Sequence, residues 1–300
     1  MRESTDPAAA TLARNLFLLG EAESLAEAFA QAGVPLIFLK GTAMLLRGLV
    51  GPGARAMTDI DILVRAGHRT AAEAAIFRRG YSRLAGGEPG EYVKESRAGM
   101  FYHSYVDLHT WLWHADESQI WQATAPVACG RTQALTLTPE AMVVHAMAHS
   151  MCSNGSLDAK TRCDLAAMLC GPDFKWDMFC DHVGALGLEA MAAAVLRDGV
   201  FLARGSADIP DRAFGRLDPT GVKRLAFFFF RLGCGTRPNA VLEYVLPLLI
   251  NPGLLRRSFF PGRAELKLRY GDASPLSLLR RQSRLLGNLF RRLFRVRRAC

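Results

Sequence analysis

The sequence predicts an α+β fold: a small mixed β-sheet core flanked by helices, followed by an all-α C-terminal region. Three observations carry this expectation. Short apolar, β-branched runs at residues 34–39, 60–64 and near Val106 have the length and composition of strands. Segments at 8–32 and 68–79 are longer and place apolar residues at helical spacing. After Thr138-Pro139-Glu140 the chain reads as successive helices with short loops. With 300 residues, half of them hydrophobic and 22% charged, it has the material for one large core or two modest ones and is not disordered by composition. The expected organisation is a core over 1–138, a helical domain over 139–255 and a basic amphipathic tail over 256–300.

The first helix, over 8–32, is expected to bury Leu12, Leu16, Leu19, Ala22, Leu25 and Phe29, and Gly33 and Pro35 end it. Val34-Pro-Leu-Ile-Phe-Leu39 then reads as a buried strand, Lys40-Gly41-Thr42 as a turn, and the residues beyond as a helix start. Gly41 would let the backbone approach a ligand closely, and a helix N-terminus there would favour an anion. Thr42 fits an N-cap or a hydroxyl contact to phosphate. Gly51-Pro52-Gly53 marks a loop leading into the next strand. The helix over 68–79 stops at Gly80. A strand-rich stretch over 81–110 is interrupted by Gly86-Gly87-Glu88-Pro89-Gly90, read either as a mobile rim or as a plain turn. Thr138 as N-cap with Pro139 behind it opens the helical part, with helices expected at 139–152, 157–170, 175–204 (broken near Gly187) and 218–234.

The strand Arg55-Ala-Met-Thr-Asp59-Ile-Asp61-Ile-Leu-Val64 carries the chemistry. Residues two apart on a strand project from one face, so Asp59 and Asp61 would stand together while Ile60 and Ile62 enter a core. Two close carboxylates repel unless a cation lies between them, and Mg²⁺ is the expected cation because it takes hard oxygen ligands and phosphates. The plainer reading is one Asp capping a turn and the other in solvent. A further strand candidate at 100–109 sets Asp107 between Val106 and Leu108. His103, Asp107 and His109 share parity on it, with His109 read as an outer partner of the acid.

Strand, Gly turn, helix, Asp-x-Asp strand and a later strand with a third Asp together resemble the polymerase-β-like nucleotidyltransferase superfamily. The elements Leu39-Lys40-Gly41 and Arg55 to Val64 resemble more closely a poorly characterised bacterial nucleotidyltransferase family, over roughly residues 10 to 170. The resemblance implies a metal-dependent nucleotidyltransferase that moves an NMP group from a nucleoside triphosphate to an acceptor hydroxyl and releases pyrophosphate. It implies that Asp59, Asp61 and Asp107 hold two Mg²⁺ ions (with Mn²⁺ as a substitute), Asp107 serving as a base in one version. Lys40, Gly41, Thr42 and Arg55 would steady the triphosphate. For Lys40 and Arg55 a structural pairing with the aspartates is the alternative. The acceptor expected is a small hydroxylated molecule or a peptide side chain. The helical domain would shape its pocket, with His149 and Asp164 near a cleft between domains.

Other features bound the reading. His145 and His149 lie four apart on a predicted helix, a spacing compatible with two metal ligands, but Ala, Met and Ala stand between them in place of a catalytic Glu. A core or substrate-facing role is favoured over a His-based hydrolase. The net charge of +9 is uneven: from Arg256 onward 13 Lys and Arg face 2 acids, and the rest carries 24 basic against 26 acidic residues. The core is thus poorly suited to a long nucleic acid. Residues 276–298 alternate Arg with Leu and Phe, a pattern for an anionic membrane surface, an acidic partner, or a helix packed on the body. A non-catalytic scaffold docking through this tail is the alternative function. Seven scattered cysteines without a Cys-x-x-Cys pair, no apolar run of ~18 residues and no apolar leader beside Glu3 and Asp6 predict a cytoplasmic protein, at most peripheral to the inner membrane face. Most of the cysteines are expected to pack as small apolar residues.

Overall fold

A computed structural model describes residues 6–95, 103–112, 114–151, 157–197 and 209–221, together with isolated positions at 224, 227 and within 274–283. The chain divides into two compact units, Met1–Met142 and Val143–Cys300. The first is built on a mixed seven-stranded sheet in the order β3-β4-β5-β2-β1-β7-β6. In chain order its strands are β1 (Ile37–Phe38), β2 (Ile60–Leu63), β3 (Ser82–Arg83), β4 (Glu91–Lys94), β5 (Ser104–His109), β6 (Thr124–Cys129) and β7 (Thr132–Leu137). Its helices are α1 (Pro7–Gln31), α2 (Lys40–Leu46), α3 (Arg69–Arg78) and α4 (Glu117–Gln122), and α5 (Pro139–His149) begins in this unit.

Asp6 caps α1 through a hydrogen bond from Ala8 N (3.0 Å), with Pro7 at the first helical position. The buried face of α1 is Asn15, Leu18, Ala22, Leu25 and Phe29. This corrects the expected stripe at its N-terminal end, because Leu12 is 38% and Leu16 55% exposed. Both phases are apolar there, and the sheet chooses the one that runs on into Ala22, Leu25 and Phe29. Ile60, Ile62, Val106 and Leu108 meet this face and Ala72, Ala75 and Ile76 of α3 in one core. Each fully buried isoleucine contributes about 1.5–3 kcal/mol relative to exposure. The acids of β2 and β5 therefore point to the opposite face.

The sequence reading contains no β6–β7 hairpin; it completes one side of the sheet, β7 pairing in parallel with β1 and β6 forming the edge. Its turn is two residues, Gly130-Arg131, between the paired Cys129 and Thr132. Gly130 takes φ +57°, and a Cβ there would lie 3.0 Å from Glu23. Tyr81 ties β5 to α1: its hydroxyl donates to Glu21 Oε2 (2.9 Å) and lies 2.7 Å from Ser104 Oγ, while Lys94 Nζ meets both Glu21 oxygens at 2.8 Å.

The second unit contains α6 (Ala159–Leu169), α7 (Trp176–Leu186), α8 (Glu189–Arg197) and α9 (Asp211–Leu217). Asp158 caps α6, and Gly187 at φ +70° ends α7. Every residue of α8 from Ala190 to Leu196 is buried, which explains its run of small alanines between α7 and α9. α9 is a helix that the sequence reading does not contain, and it stops before Asp218-Pro219, where proline cannot continue it and restricts its predecessor. The helix expected over 218–234 is corrected only at its start, since 218–221 are not helical while Arg224 and Phe227 are. Most of 222–234 lies outside the described residues. So do the arginines of the basic tail, the domain expected over 256–300 except for a few positions, and the apolar runs at 225–230 and 240–250. Within the tail Leu276 and Leu279 are exposed. No described helix is long and apolar enough to cross a membrane. Among the described cysteines Cys129 and Cys180 are buried, but Cys163 and Cys170 are exposed on and beside the outer face of α6, so apolar packing accounts for only some of them.

Candidate active site

Asp61 sits in the middle of β2, a strand buried along its whole length. Its parallel neighbour β5 sets Asp107 directly opposite it, and His109 two residues further on the same face. His109 Nε2 lies 3.1 Å from Asp61 Oδ1 and 3.2 Å from Asp107 Oδ2. Lys40 Nζ reaches Asp61 Oδ1 at 2.8 Å. Asp61 is 3% exposed and Asp107 36%, so the cluster opens outward through Asp107.

These contacts set the charges. Burial alone would push Asp61 up, but the His109 hydrogen bond and the Lys40 ammonium hold it well below the usual carboxylate range. Burial works against the Lys40 ammonium too, and Asp61, with smaller help from Asp59 and Asp107, more than reverses this and raises its pKa. For His109, burial lowers the pKa while hydrogen bonds to Asp107 and Asp61 carry it up to about 9. The metal-free protein thus holds an imidazolium between two carboxylates at neutral pH. The folded value lies above the ordinary 6.5, so this contribution to stability is complete below about pH 6.5 and is lost as pH rises through about 9. Thermal unfolding of metal-free protein is expected to weaken across that window, and the His109 ring resonances to titrate near its upper end. A ring titrating near 6.5 would contradict the geometry.

Lys40 is held in an unusual backbone state. Its φ of +45° makes it the one non-glycine with positive φ among the described residues. For an ordinary side chain this costs roughly 1–2 kcal/mol. The bond from Leu39 N to Asp61 O (3.0 Å) and the Lys40–Asp61 ion pair hold both ends of the bend. Leu39, not Thr42, occupies the N-cap of α2. That corrects the expected cap: Lys40 already belongs to the helix, so Thr42 falls in its first turn, fully buried, with Oγ1 lacking a hydrogen-bond partner. Gly41 is buried as well, and its need for glycine comes from the chain itself. A Cβ there would fall on the Arg55 guanidinium and within 2.9 Å of Met57 Cγ.

Asp59 has a hydrogen-bond partner of its own. It precedes β2, and its Oδ1 accepts from Thr58 Oγ1 (2.9 Å). It is not one of the three donors of the Asp61–Asp107–His109 cluster, although it lies near enough to the Lys40 ammonium to help raise its pKa. Instead Asp59 and Asp107 line one cavity of about 240 Å³, together with Glu91, Tyr105 and Leu84. His103, expected on the face of Asp107, is exposed just before β5 with its ring 6.3 Å from Tyr105. His145 and His149 lie on α5, rings 6.0 Å apart, and no three-donor group forms around them among the described residues. His149 and Asp164, the latter on α6, are both half-buried in the second unit.

Two residues near the site carried weak signals. Asn15 is fully buried: its Nδ2 donates to Pro52 O and Arg55 O (both 2.6 Å), and its Oδ1 accepts from Met57 N (3.0 Å). It thereby holds the loop that carries Arg55. The available signal was a lone amide at helical spacing from Leu18 and Ala22. Gly90 has φ +122°, and a Cβ there would lie 2.8 Å from Leu108 O, beside Asp107. Gly90→Ala is expected to cost roughly 2 kcal/mol of stability through strain and contact together. Gly86→Ala, at φ +75° in open space, should cost about half as much. Equal melting temperatures for the two variants would contradict the close approach at Gly90.

The donor set fits a divalent cation. Asp61, Asp107 and His109 each offer one ligand atom within 4.8 Å of the others, the only such three-donor group among the described residues. Two carboxylate oxygens and one imidazole nitrogen are ordinary ligands for a divalent metal. Comparison with known families adds a second line: residues 5–197 match the model of a family described as an uncharacterised nucleotidyltransferase. No curated protein and no solved structure matches the chain.

Proposed function

The chain belongs to the uncharacterised nucleotidyltransferase family, and from that premise we propose that it transfers an NMP group from a nucleoside triphosphate to a hydroxyl of a small-molecule or peptide acceptor, releasing pyrophosphate. The observation that carries this reading is the strand register setting Asp61 opposite Asp107, with His109 beside them and the Lys40 ammonium behind. Asp61, Asp107 and His109 would hold a divalent cation. Asp59 and Asp107, on one cavity wall, are the carboxylates we assign to a second ion. A bound cation would neutralise the polyphosphate and stabilise charge on the entering and leaving oxygens.

The chain's own groups do the rest. Lys40 supplies a fixed positive charge at the inner end of the site, and Arg55, packed over Gly41, a planar fork suited to phosphate. With Lys40 at the cluster and Asn15 fixing the Arg55 loop, these charges need little rearrangement when substrate binds. With Asp107 committed to the cations, the proton of the acceptor hydroxyl passes to solvent at the open side. The acceptor oxygen bonds to the α-phosphorus, the bond from that phosphorus to the bridging oxygen breaks, and the electron pair leaves with pyrophosphate. We place this activity in the cytoplasm, where nucleoside triphosphates are made.

The test is incubation with labelled ATP, GTP, CTP and UTP in turn, with a metabolite extract as acceptor pool. Pyrophosphate release is followed for wild type and for Asp107→Asn. Nucleotide-dependent release by wild type, strongly reduced in the variant, supports the assignment. Equal release by both proteins removes it.

A further inference from the structure

Resting on that reading, we propose that His109 Nε2 is a direct metal ligand and that the site selects Mn²⁺, which accepts a nitrogen ligand more readily, over Mg²⁺. The first argument is convergence. The same nitrogen approaches one oxygen of each acid, 3.1 Å from Asp61 Oδ1 and 3.2 Å from Asp107 Oδ2. A histidine that only orients a ligand donates to one carboxylate from the side away from the metal. His109 instead points between the two acids, where a cation shared by them would sit. The second argument is redundancy. Lys40 Nζ stays 2.8 Å from Asp61 Oδ1, so Asp61 keeps a counter-ion when a cation takes over the pairing that His109 makes with both acids in the metal-free protein.

The third argument concerns what the site lacks. An all-oxygen set would take its third donor from Asp59, the other acid of the Asp-x-Asp motif. That carboxylate precedes the strand, accepts from Thr58 Oγ1 at 2.9 Å, and stays outside the cluster. Strand alternation fills the third place from β5 with an imidazole. Mg²⁺ prefers oxygen and keeps its waters, whereas Mn²⁺, which shares its taste for carboxylates, stands at the foot of the first-row series in which nitrogen ligands gain affinity and gives up water for imidazole more readily than Mg²⁺ does.

The experiment uses full-length metal-free protein and Mn²⁺ alone, without nucleotide. Electron paramagnetic resonance follows binding, and electron spin-echo modulation reads nitrogen coordination directly. Wild type is expected to bind Mn²⁺ with imidazole ¹⁴N modulation, and Mg²⁺ to displace it only at about tenfold excess or more, reflecting the mixed donor set. His109→Asp, which restores an all-oxygen set, should abolish the modulation and bring the two ions towards equal affinity. Bound Mn²⁺ without ¹⁴N modulation in wild type overturns the proposal, even if the variant does not fold. Failure of the protein to retain Mn²⁺ overturns it as well. In either case the pyrophosphate assay reports separately on nucleotidyl transfer, which an oxygen-ligated ion delivered with the nucleotide would still support.

Discussion

Asp61→Asn is expected to lower the proposed nucleotidyl transfer by about a thousandfold or more, because in that reading several kcal/mol of metal-dependent stabilisation would rest on this carboxylate. The substitution keeps the shape of the side chain and removes its charge. Asp61 is the member of the cluster reached by both Lys40 and His109, and it lies deepest in the sheet. In the variant Lys40 faces a neutral amide and its raised pKa should fall with the loss of its main partner, while His109 keeps Asp107 and should fall less. Asp59→Asn should be milder, since that carboxylate accepts from Thr58 outside the cluster. Pyrophosphate release under saturating metal, beside circular dichroism of each variant, checks the pair. If the two substitutions cost the same activity with the fold intact, the distinction between Asp59 and Asp61 has no functional meaning.

Replacement of Asn15 has the larger expected effect on stability. Asn15→Leu removes two donated bonds and one accepted bond inside the protein, leaving Pro52 O, Arg55 O and Met57 N to find other partners. Buried groups left unsatisfied cost about 1–3 kcal/mol each, part of it recovered where the loop opens to water, so a loss of roughly 3 kcal/mol is expected. Asn15→Asp should be no better: it keeps an acceptor for Met57 N but turns a carboxylate towards two carbonyls. Because this loop carries Arg55 and leads into β2, both variants should also weaken triphosphate binding. Denaturant melts and nucleotide-induced thermal shifts measure the two effects. A variant as stable as wild type would show that the 52–57 loop is held by something else.

Much of the first unit was legible locally. Helical spacing announced α1 and α3, and β-branched runs announced β1, β2 and β5. Asp61 and Asp107 were each marked by an acid set between buried aliphatic neighbours. The misreadings share one cause: local pattern is degenerate. Leu12 and Leu16 are as apolar as Leu18, so the sequence left open which side of α1 faces the sheet. Thr42 looks like a cap until Lys40 takes a left-handed turn that begins the helix earlier. The β6–β7 hairpin had only a Gly turn and a short alternation, Thr132-Gln-Ala-Leu-Thr-Leu137, to announce it.

The sequence by itself determined the kind of chemistry: an acid pair on a strand, a third acid on another, and a Lys-Gly element ahead of them, in the order that resembles nucleotidyltransferases. Only the tertiary structure decided which atoms meet. Asp59, one residue before β2, accepts from the Thr58 hydroxyl and is not one of the three clustered donors. Asp61 and His109, 48 residues apart, meet because β2 and β5 pair in parallel and a strand's side chains alternate strictly. A shift of that register by one residue would turn His109 into the core, so the composition of the site follows from strand pairing, a property no short stretch of sequence contains.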